Sequence, residues 1–172
     1  MNCGETVDHP DYGSPALLVL THVVAQERML LMRRGADPYR GKWAPPGGYV
    51  GHGESVERAA IREVWEEVRI KLECTQLLPY AVASIPAINQ VYHIFAVALA
   101  KMLPATAVPP ESIDVGWFTR QQLRSLDLWE PASRVDHESL FAGARTGHFN
   151  FYQESDDFSR MIRRHGEIEY LS

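Results

Sequence analysis

The chain has 172 residues, of which 45% are hydrophobic and 23% are charged, values that suit one globular domain with a sizeable core. Its net charge of −5 argues against a general nucleic-acid-binding protein, in which a basic stripe is expected, and no apolar run reaches the roughly 18 residues of a membrane span. The two cysteines, Cys3 and Cys74, make no disulfide framework, and the N-terminal residues lack the pattern of a signal peptide. We therefore expect free thiols and a cytoplasmic location, with Cys74 in a strand.

The first half of the chain predicts a tail, a hairpin, a glycine-rich loop and a helix. Residues 1–15 have the Gly, Pro and Asp content of a loosely held tail. Two aliphatic runs separated by a polar break then predict a buried β-hairpin. A segment with five glycines and two prolines leads from the hairpin into a helical pattern. The predicted elements are strands over 16–25 and 28–33, a loop over 41–53 and a helix over 54–68.

The second half of the chain predicts further strands and then an extension of mixed character. Strands are predicted over 72–84, 90–100 and 113–118, and Thr119 is a suitable N-cap for a short helix over 121–126. Residues 128–172 carry helical patterns over 133–145 and 156–165, together with aromatic residues that need a surface on which to pack. This order of elements predicts an α+β fold, an α/β/α sandwich, with an extension that packs on the core or on a partner subunit. A homodimer is one arrangement that such an extension allows.

Three glutamates lie close together on the predicted helix. Glu63, Glu66 and Glu67 fall within an arc of roughly 100°, and Glu67 lies at the edge of the apolar face. Because carboxylates this close repel one another, a hard divalent cation such as Mg²⁺, which prefers oxygen ligands, would stabilise them. The alternative is a solvated acidic helix face with i,i+4 partners such as Arg58 and Arg62.

The spacing around these glutamates resembles the signature of the Nudix hydrolases. That signature is a glycine, five residues, a glutamate, seven residues and then Arg-Glu-aliphatic-x-Glu-Glu-x-Gly-aliphatic. The matching positions are Gly48, Glu54, Arg62, Glu63, Val64, Glu66, Glu67 and Ile70. One position departs, since Arg69 stands where the family has a glycine at the exit of the helix. A non-glycine residue in the left-handed conformation that is common there costs on the order of 1 kcal/mol.

The resemblance implies a Nudix fold with a mixed sheet over residues 16–127 and hydrolysis of a P–O–P bridge with Mg²⁺ or Mn²⁺. It also implies the roles of the box residues. The implied metal ligands are Glu63, Glu66, Glu67 and the carbonyl of Gly47, and the implied supporting pair is Glu54 with Arg62. The general base that takes a proton from water is Glu66, Glu67 or Glu111, and the alternative for Glu111 is an ordinary loop carboxylate.

The substrate is less closely defined by the sequence. Arg33, Arg34, Trp43 and Tyr49 are candidate substrate-binding residues, with Tyr39 and Tyr92 as further aromatic candidates; solvated arginines and loop packing are the alternatives. Pro86 lies 16 residues beyond Ile70, an offset that resembles the ADP-ribose pyrophosphatase branch of the family. We therefore expect a small-molecule nucleoside diphosphate linked to another group as substrate. The alternatives are a nucleoside triphosphate pyrophosphatase acting on modified nucleotides and a non-catalytic nucleotide-binding module.

Overall fold

The computed structural model of the protein describes residues 13–85, 88–129, 140–141, 150–154, 160–164 and 167–171. The strands of the described residues are β1 (Ala16–Ala25), β2 (Arg28–Arg34), β3 (Trp43–Ala44), β4 (Gly47–Tyr49), β5 (Leu78–Ile85), β6 (Gln90–Leu99), β7 (Ser112–Thr119), β8 (Asn150–Glu154), β9 (Arg160–Arg164) and β10 (Glu167–Leu171). The helices are α1 (Val56–Val68) and α2 (Arg120–Leu123), and a 3₁₀ turn covers Cys74–Gln76. None of the helices in these ranges has the length and apolar character needed to cross a bilayer.

One mixed sheet contains all of these strands. Its order is β10-β9-β8-β5-β6-β1-β2-β3, with β4 also paired to β1 and β7 to β2. The central strand β1 runs parallel to β6 along its whole length and antiparallel to β2, with which it forms the predicted hairpin. The combination of parallel and antiparallel pairs with few helices confirms the predicted α+β fold and its mixed sheet.

Helix α1 packs its apolar side on the centre of this sheet. Its buried apolar residues are Ala59, Ala60, Val64 and Val68, and they join a core that β1 and β2 line with Val19, Val23, Met29, Leu30 and Leu31. The helix begins after Ser55, whose hydroxyl accepts a hydrogen bond from the Arg58 N–H at 3.3 Å. Because this face packs on the sheet, the adjacent glutamates Glu63 and Glu67 are also buried.

Arg69 ends α1 in the conformation that the family glycine would adopt. Its φ of 59° and ψ of 26° are left-handed, and its N–H donates to the Trp65 carbonyl at 3.1 Å. The Arg69 guanidinium lies 5.2 Å from the centre of the Trp65 ring and also donates to the Trp65 carbonyl. The helix exit is therefore kept without a glycine, and these contacts offset part of the left-handed strain.

The structure corrects the predicted strand over 72–84. The chain forms a 3₁₀ turn at Cys74–Gln76, and β5 begins only at Leu78. The Gln76 side chain accepts a hydrogen bond from the Glu73 N–H at 2.8 Å, which closes the turn. The prediction that Cys74 lies in a strand is therefore wrong, and its thiol is exposed and free.

The prediction of a helix over 156–165 is also wrong where the structure describes that segment. Arg160–Arg164 is β9, which pairs antiparallel with β8 and with β10. Strand β8 in turn pairs parallel to β5, so these residues extend the core sheet. Pairing with distant strands outweighs the local helical pattern here. The predicted helix over 133–145 lies outside the described residues except for Leu140 and Phe141, which are helical.

Two smaller differences concern the loop and the last helix of the core. The predicted loop over 41–53 contains the short strands β3 and β4, which pair with β2 and β1. The predicted N-cap Thr119 is confirmed, since its hydroxyl accepts a hydrogen bond from the Gln122 N–H at 3.3 Å. The helix that it starts, α2, ends at Leu123 and is shorter than predicted.

Candidate active site

Glu67 is a buried carboxylate on the sheet-facing side of α1. Its side chain is 5% exposed and accepts a hydrogen bond from the Gly47 N–H at 2.8 Å. Burial raises the pKa of Glu67 to about 8, and the negative charges of Glu63 and Glu111 add to this rise. Burial also raises the pKa of Glu63, which is 8% exposed. Two adjacent carboxylates thus lie in surroundings that disfavour their charge, a feature that is frequent at functional sites.

Arg62 is the centre of an ion-pair network that ties the glycine-rich loop to α1. Its guanidinium makes a two-point contact with Glu54, with both N···O distances at 2.9 Å. It also donates to Glu63 at 2.7 Å, to Glu66 at 2.9 Å and to the Tyr49 carbonyl at 2.9 Å. The hydrogen bonds from Arg62 lower the pKa of Glu54 to about 2. The predicted pair of Glu54 and Arg62 therefore forms, and it also holds two of the α1 glutamates.

Gly47 and Gly48 lie where β4 passes between β1 and α1. A Cβ atom on Gly47 would lie 2.1 Å from the Val19 carbonyl oxygen, and a Cβ atom on Gly48 would lie 2.6 Å from Oε1 of Glu63. Neither separation is sterically allowed. The double glycine therefore lets the backbone approach α1 closely enough for the Gly47 N–H to reach Glu67.

Glu111 reaches the same region from the loop before β7. The Val108 N–H donates to the Glu67 carbonyl at 3.2 Å, which fastens this loop to the end of α1. The Glu111 carbonyl accepts a hydrogen bond from the Gly35 N–H at 2.8 Å, which fastens it to the end of β2. Among the described residues, none donates a hydrogen bond to the Glu111 carboxylate. Its side chain is therefore available on the pocket wall.

A pocket of about 660 Å³ opens between β1, β4, α1 and the loop that follows β2. Its acidic part is formed by Glu63, Glu67 and Glu111. Arg62 also contributes to the wall of the pocket, next to these carboxylates. The size of the pocket lies within the range usual for small-molecule sites.

The rest of the pocket wall includes an aromatic cluster. The ring centre of Trp129 lies 6.4 Å from that of Tyr39 and 5.8 Å from that of Tyr92. Arg34 connects this cluster to the acidic part, because its guanidinium carbon lies 5.8 Å from the Trp129 ring centre and its charge acts to lower the pKa of Glu67. A ligand in this pocket would therefore meet aromatic faces, a guanidinium and carboxylates together.

Comparison with known proteins identifies the family to which this chain belongs. The family model of the NUDIX domain matches residues 15–138, which is more than half of the chain. The chain belongs to the Nudix hydrolase family. The residues of its Nudix box supply two of the three carboxylates in the acidic part of the pocket, Glu63 and Glu67, together with the Arg62 network.

Several Nudix proteins are similar to this one. It is 34% identical to a nucleoside triphosphatase, NudI, from Enterobacter sp. (strain 638) over 108 residues, which are 56% of this chain and 74% of that protein. It is 37% identical to an ADP-ribose pyrophosphatase from Methanocaldococcus jannaschii over 67 residues, 39% of this chain, and so spans only 40% of the length of that relative. The crystal structure of a NUDIX hydrolase from Nitrosomonas europaea matches with a TM-score of 0.67 and 29% identity over 83% of this chain and 81% of that one.

The donor atoms of this Nudix box fit a hard divalent cation. No group of three acidic, histidine or cysteine side chains converges on a point within the described residues, because Arg62 holds Glu63 and Glu66 while the Gly47 N–H holds Glu67. The available ligands are nevertheless all oxygens, the type that Mg²⁺ prefers. Besides burial, the charges of Glu63 and Glu111 raise the pKa of Glu67, and those of Glu66 and Glu111 raise the pKa of Glu63; a bound cation would relieve that repulsion.

The structure brings most of the predicted site residues to the pocket. Those on its wall are Arg34, Gly47, Tyr49, Arg62, Glu63, Glu67 and Glu111. The predicted aromatic candidates Tyr39 and Tyr92 also line it. Pro86, whose offset from Ile70 resembles the ADP-ribose pyrophosphatase branch, lies outside the described residues.

Other predicted residues lie outside the pocket wall. The Glu66 side chain is 47% exposed and pairs with Arg62, while Arg33 is exposed and donates to the Gly41 carbonyl at 2.9 Å. Trp43 packs edge to face against Phe118, with ring centres 4.7 Å apart. Glu54 lies behind Arg62, in the supporting position that the family resemblance implies.

Trp129 is a wall residue that the sequence analysis missed. It is 6% exposed, and its indole N–H is buried without a hydrogen-bond partner among the described residues. The core predicted from the sequence ends at residue 127, which leaves Trp129 in the predicted extension. The only indication in the sequence is that an aromatic residue follows soon after the predicted helix over 121–126. Its type and position do not show on which strand it packs.

Proposed function

We propose that this Nudix hydrolase cleaves the pyrophosphate bond of a nucleoside diphosphate linked to another group, such as ADP-ribose or a nucleotide sugar, with Mg²⁺ or Mn²⁺. The observation that carries the proposal is the pair of buried carboxylates, Glu63 and Glu67, on the wall of a pocket that also contains Arg34. The named activity of the archaeal relative, an ADP-ribose pyrophosphatase, supports the substrate class.

The side chains of α1 would hold the metal. The oxygen ligands would come from Glu63, Glu66, Glu67 and the Gly47 carbonyl. To bind the metal, Glu63 and Glu66 would give up the hydrogen bonds that they accept from Arg62. When bound, the metal neutralises phosphate charge and lowers the pKa of the attacking water. Because Arg62 keeps its two-point contact with Glu54, the guanidinium stays beside the ligands and orients them.

Two further residues act on the substrate. Arg34 binds a phosphate oxygen, since it lines the pocket, its guanidinium carbon lies 5.8 Å from the Trp129 ring centre and its positive charge acts on Glu67. Glu111 takes the proton from the attacking water, because its carboxylate lines the pocket and accepts no hydrogen bond from a described residue. The electrons of the new bond to phosphorus come from that water, and the second phosphate leaves with the bridging oxygen.

A nucleoside triphosphate pyrophosphatase is the second candidate, and the similarity to NudI over 74% of that protein favours it. The two reactions differ in their products. A linked diphosphate gives two monophosphates, while a triphosphate gives a monophosphate and pyrophosphate.

The test is hydrolysis of a panel that contains ADP-ribose, nucleotide sugars, dinucleoside polyphosphates and nucleoside triphosphates, with Mg²⁺ and with Mn²⁺. The linked diphosphates and dinucleoside polyphosphates, which alkaline phosphatase does not attack, are coupled to that enzyme, and the triphosphates are coupled to inorganic pyrophosphatase, so that monophosphates and pyrophosphate are counted separately. We expect the largest kcat/KM for a linked diphosphate. Pyrophosphate release as the fastest reaction would instead establish the second candidate, and nucleotide binding without any cleavage would establish a non-catalytic binding module.

A further inference from the structure

A groove of about 700 Å³ lies between α1 and the segment 71–75, outside the active-site pocket. One wall of this groove is a face of α1, because residues three, four and seven apart lie on the same side of a helix. The side chains on that face are Arg58, Ile61, Arg62 and Trp65. Arg69 then ends the helix in its left-handed conformation, and the residues that follow return beside the helix as the second wall.

Arg62 is the only described residue that lines both the groove and the active-site pocket. Its guanidinium has five N–H donors, and all of them are used in the contacts with Glu54, Glu63, Glu66 and the Tyr49 carbonyl. Glu54, which also lines the groove, is neutralised by the same contact. A ligand in the groove would therefore be bound by other side chains.

The remaining charged side chains give the groove an excess of positive charge. They are Arg58, Lys71 and Glu73, all of which are exposed. Among the ion pairs of the described residues, none involves Arg58 or Lys71. This excess contrasts with the net charge of −5 on the whole chain. Two exposed cations in one concave surface raise the local concentration of anions, so the groove favours an anionic ligand.

Trp65 adds an apolar surface next to these charges. It is 39% exposed, and Ile61 and Leu72 extend the apolar part of the wall around it. The Lys71 ammonium nitrogen and the Arg69 guanidinium carbon each lie 5.2 Å from the centre of the Trp65 ring. Cation–π contacts of this kind hold the two cations near the ring, so they lose less conformational entropy when an anion binds.

A small phosphate monoester matches the charge, size and apolar character of the groove. Its phosphate carries a charge of about −1.5 to −2 at pH 7, which two cations would neutralise. Arginine binds a phosphate through two parallel hydrogen bonds, and lysine binds it as a point charge. The groove volume lies within the range usual for small-molecule sites, and the apolar wall suits the organic part of the ester.

We propose that the groove between α1 and the segment 71–75 is a second ligand site, which binds a small phosphate monoester. Arg58 and Lys71 bind its phosphate, and Trp65 packs on its organic part. The site is separate from the active-site pocket and needs no metal ion. Its ligand is a nucleoside monophosphate or another aromatic phosphate monoester, since both carry the phosphate and the apolar group that the groove recognises.

The test is an NMR titration in EDTA with AMP, phenyl phosphate, inorganic phosphate and adenosine. The site of binding is read from the Trp65 indole N–H signal and the backbone signals of 71–75, compared with the signals of the active-site pocket. We expect AMP and phenyl phosphate to shift the groove signals and to bind more tightly than inorganic phosphate, which lacks an organic part. Adenosine, which lacks the phosphate, should leave the groove signals unchanged. Shifts with AMP but not with phenyl phosphate would restrict the ligand to nucleoside monophosphates.

Three variants connect the binding to the charges of the groove. The double variant Arg58→Gln, Lys71→Gln should bind both monoesters about tenfold or more weakly, because each charge-assisted hydrogen bond is lost. The double variant Arg124→Gln, Lys101→Gln makes the same changes at exposed positions outside both walls and should bind as the wild type does. Glu73→Gln removes a negative charge from the groove and should bind the monoesters about threefold more tightly. This gain tests the proposal even if the first double variant does not fold.

Monoesters that shift only the signals of the active-site pocket would overturn the proposal. Unchanged affinity in both Glu73→Gln and the Arg58 and Lys71 double variant would overturn it too, and equal affinity for inorganic phosphate and the monoesters would exclude a role for Trp65. These outcomes are independent of the proposed hydrolysis, because binding is measured without metal and without turnover. A protein that binds monoesters in the groove but cleaves no pyrophosphate bond would contradict the proposed function and leave the second site supported.

Discussion

Trp43 and Trp129 are joined through their backbones. The Trp129 N–H donates to the Trp43 carbonyl at 2.8 Å, and the Trp43 N–H donates to the Asp127 carbonyl at 2.9 Å. The side chain of Lys42 adds an ion pair with Asp127 at 2.7 Å. Trp43, a candidate substrate contact in the sequence, therefore positions Trp129, which lines the pocket.

This relationship predicts an indirect effect of a substitution at Trp43. Trp43→Leu keeps the backbone hydrogen bonds but removes the packing on Phe118, so β3 and the Trp129 segment should become less firmly placed. We expect KM for nucleotides to rise by more than threefold with a smaller change in kcat. A steady-state comparison with the wild type checks this, and an unchanged KM would show that Trp43 has no positioning role.

Glu67 should destabilise the metal-free protein, because its carboxylate is buried beside two others. Folding raises the pKa of Glu67 from 4.5 to about 8, which costs stability above pH 4.5. Glu67→Gln removes this cost and should raise the stability of the metal-free protein at pH 7 by on the order of 2 kcal/mol while abolishing the stabilisation by Mg²⁺. Thermal unfolding in EDTA and in Mg²⁺ measures both effects. Glu57→Gln, the same change on the same helix outside the pocket wall, is the control and should respond to Mg²⁺ as the wild type does.

A side chain at Gly48 should displace Glu63. The added Cβ of Gly48→Ala would lie 2.6 Å from the Glu63 carboxylate, so that carboxylate must move. We expect a kcat/KM at least tenfold lower and a weaker stabilisation by Mg²⁺. Gly13→Ala places a methyl group where no atom lies within 4 Å and should behave as the wild type. Full activity in Gly48→Ala would mean that the position of Glu63 does not matter.

The contact between Glu54 and Arg62 should give the protein a pH-dependent stability. The pKa of Glu54 is lowered to about 2 in the folded protein from its ordinary value of 4.5. A carboxyl group with a lowered pKa stabilises the fold above pH 4.5 and loses this contribution as the pH falls towards 2. Glu54→Gln should therefore have a lower Tm than the wild type at pH 7, with a difference that narrows below pH 4.5.

The same variant should also lower activity, because Arg62 would lose the partner that fixes it beside the α1 glutamates. Loss of a residue that orients metal ligands typically costs about 10- to 100-fold. Glu57→Gln, the same change on α1 outside the pocket wall, is the control for both measurements. A Glu54→Gln variant with wild-type kcat/KM would contradict the supporting role.

The box could be predicted from the sequence because its signals are local. The spacing of Glu63 and Glu67 on one helix, and the glycines before it, depend on residues close together in the chain. The positions of Arg34 and Trp129 on the pocket wall depend instead on pairing between segments far apart in the sequence. Arg33 and Arg34 are neighbours of which only Arg34 lines the pocket, and a shift in the pairing of β2 with β7 between them cannot be read from the sequence. The position of Trp129 depends on its backbone hydrogen bond to Trp43, which lies 86 positions earlier in the sequence.

Arg69 offers a test of how the helix exit is maintained. Glycine adopts the left-handed conformation without strain but loses the contacts with Trp65, so Arg69→Gly should raise stability by less than about 1 kcal/mol. Arg69→Ala keeps the strain and loses the contact with Trp65, so it should be less stable than the wild type. Thermal unfolding ranks the three proteins, and Arg69→Gly below the wild type would show that the contact with Trp65 is worth more than the strain.

The most direct test of the central claim is cleavage of ADP-ribose and ATP by the wild type, Glu67→Gln and Glu57→Gln, followed by ³¹P NMR with Mg²⁺ and with EDTA. The account predicts Mg²⁺-dependent cleavage of the P–O–P bond by the wild type and Glu57→Gln. Glu67→Gln should fold, bind nucleotide and cleave at least a thousandfold more slowly. Cleavage by Glu67→Gln within twofold of the wild type would contradict the account, because the reaction would then not depend on the buried carboxylate of α1.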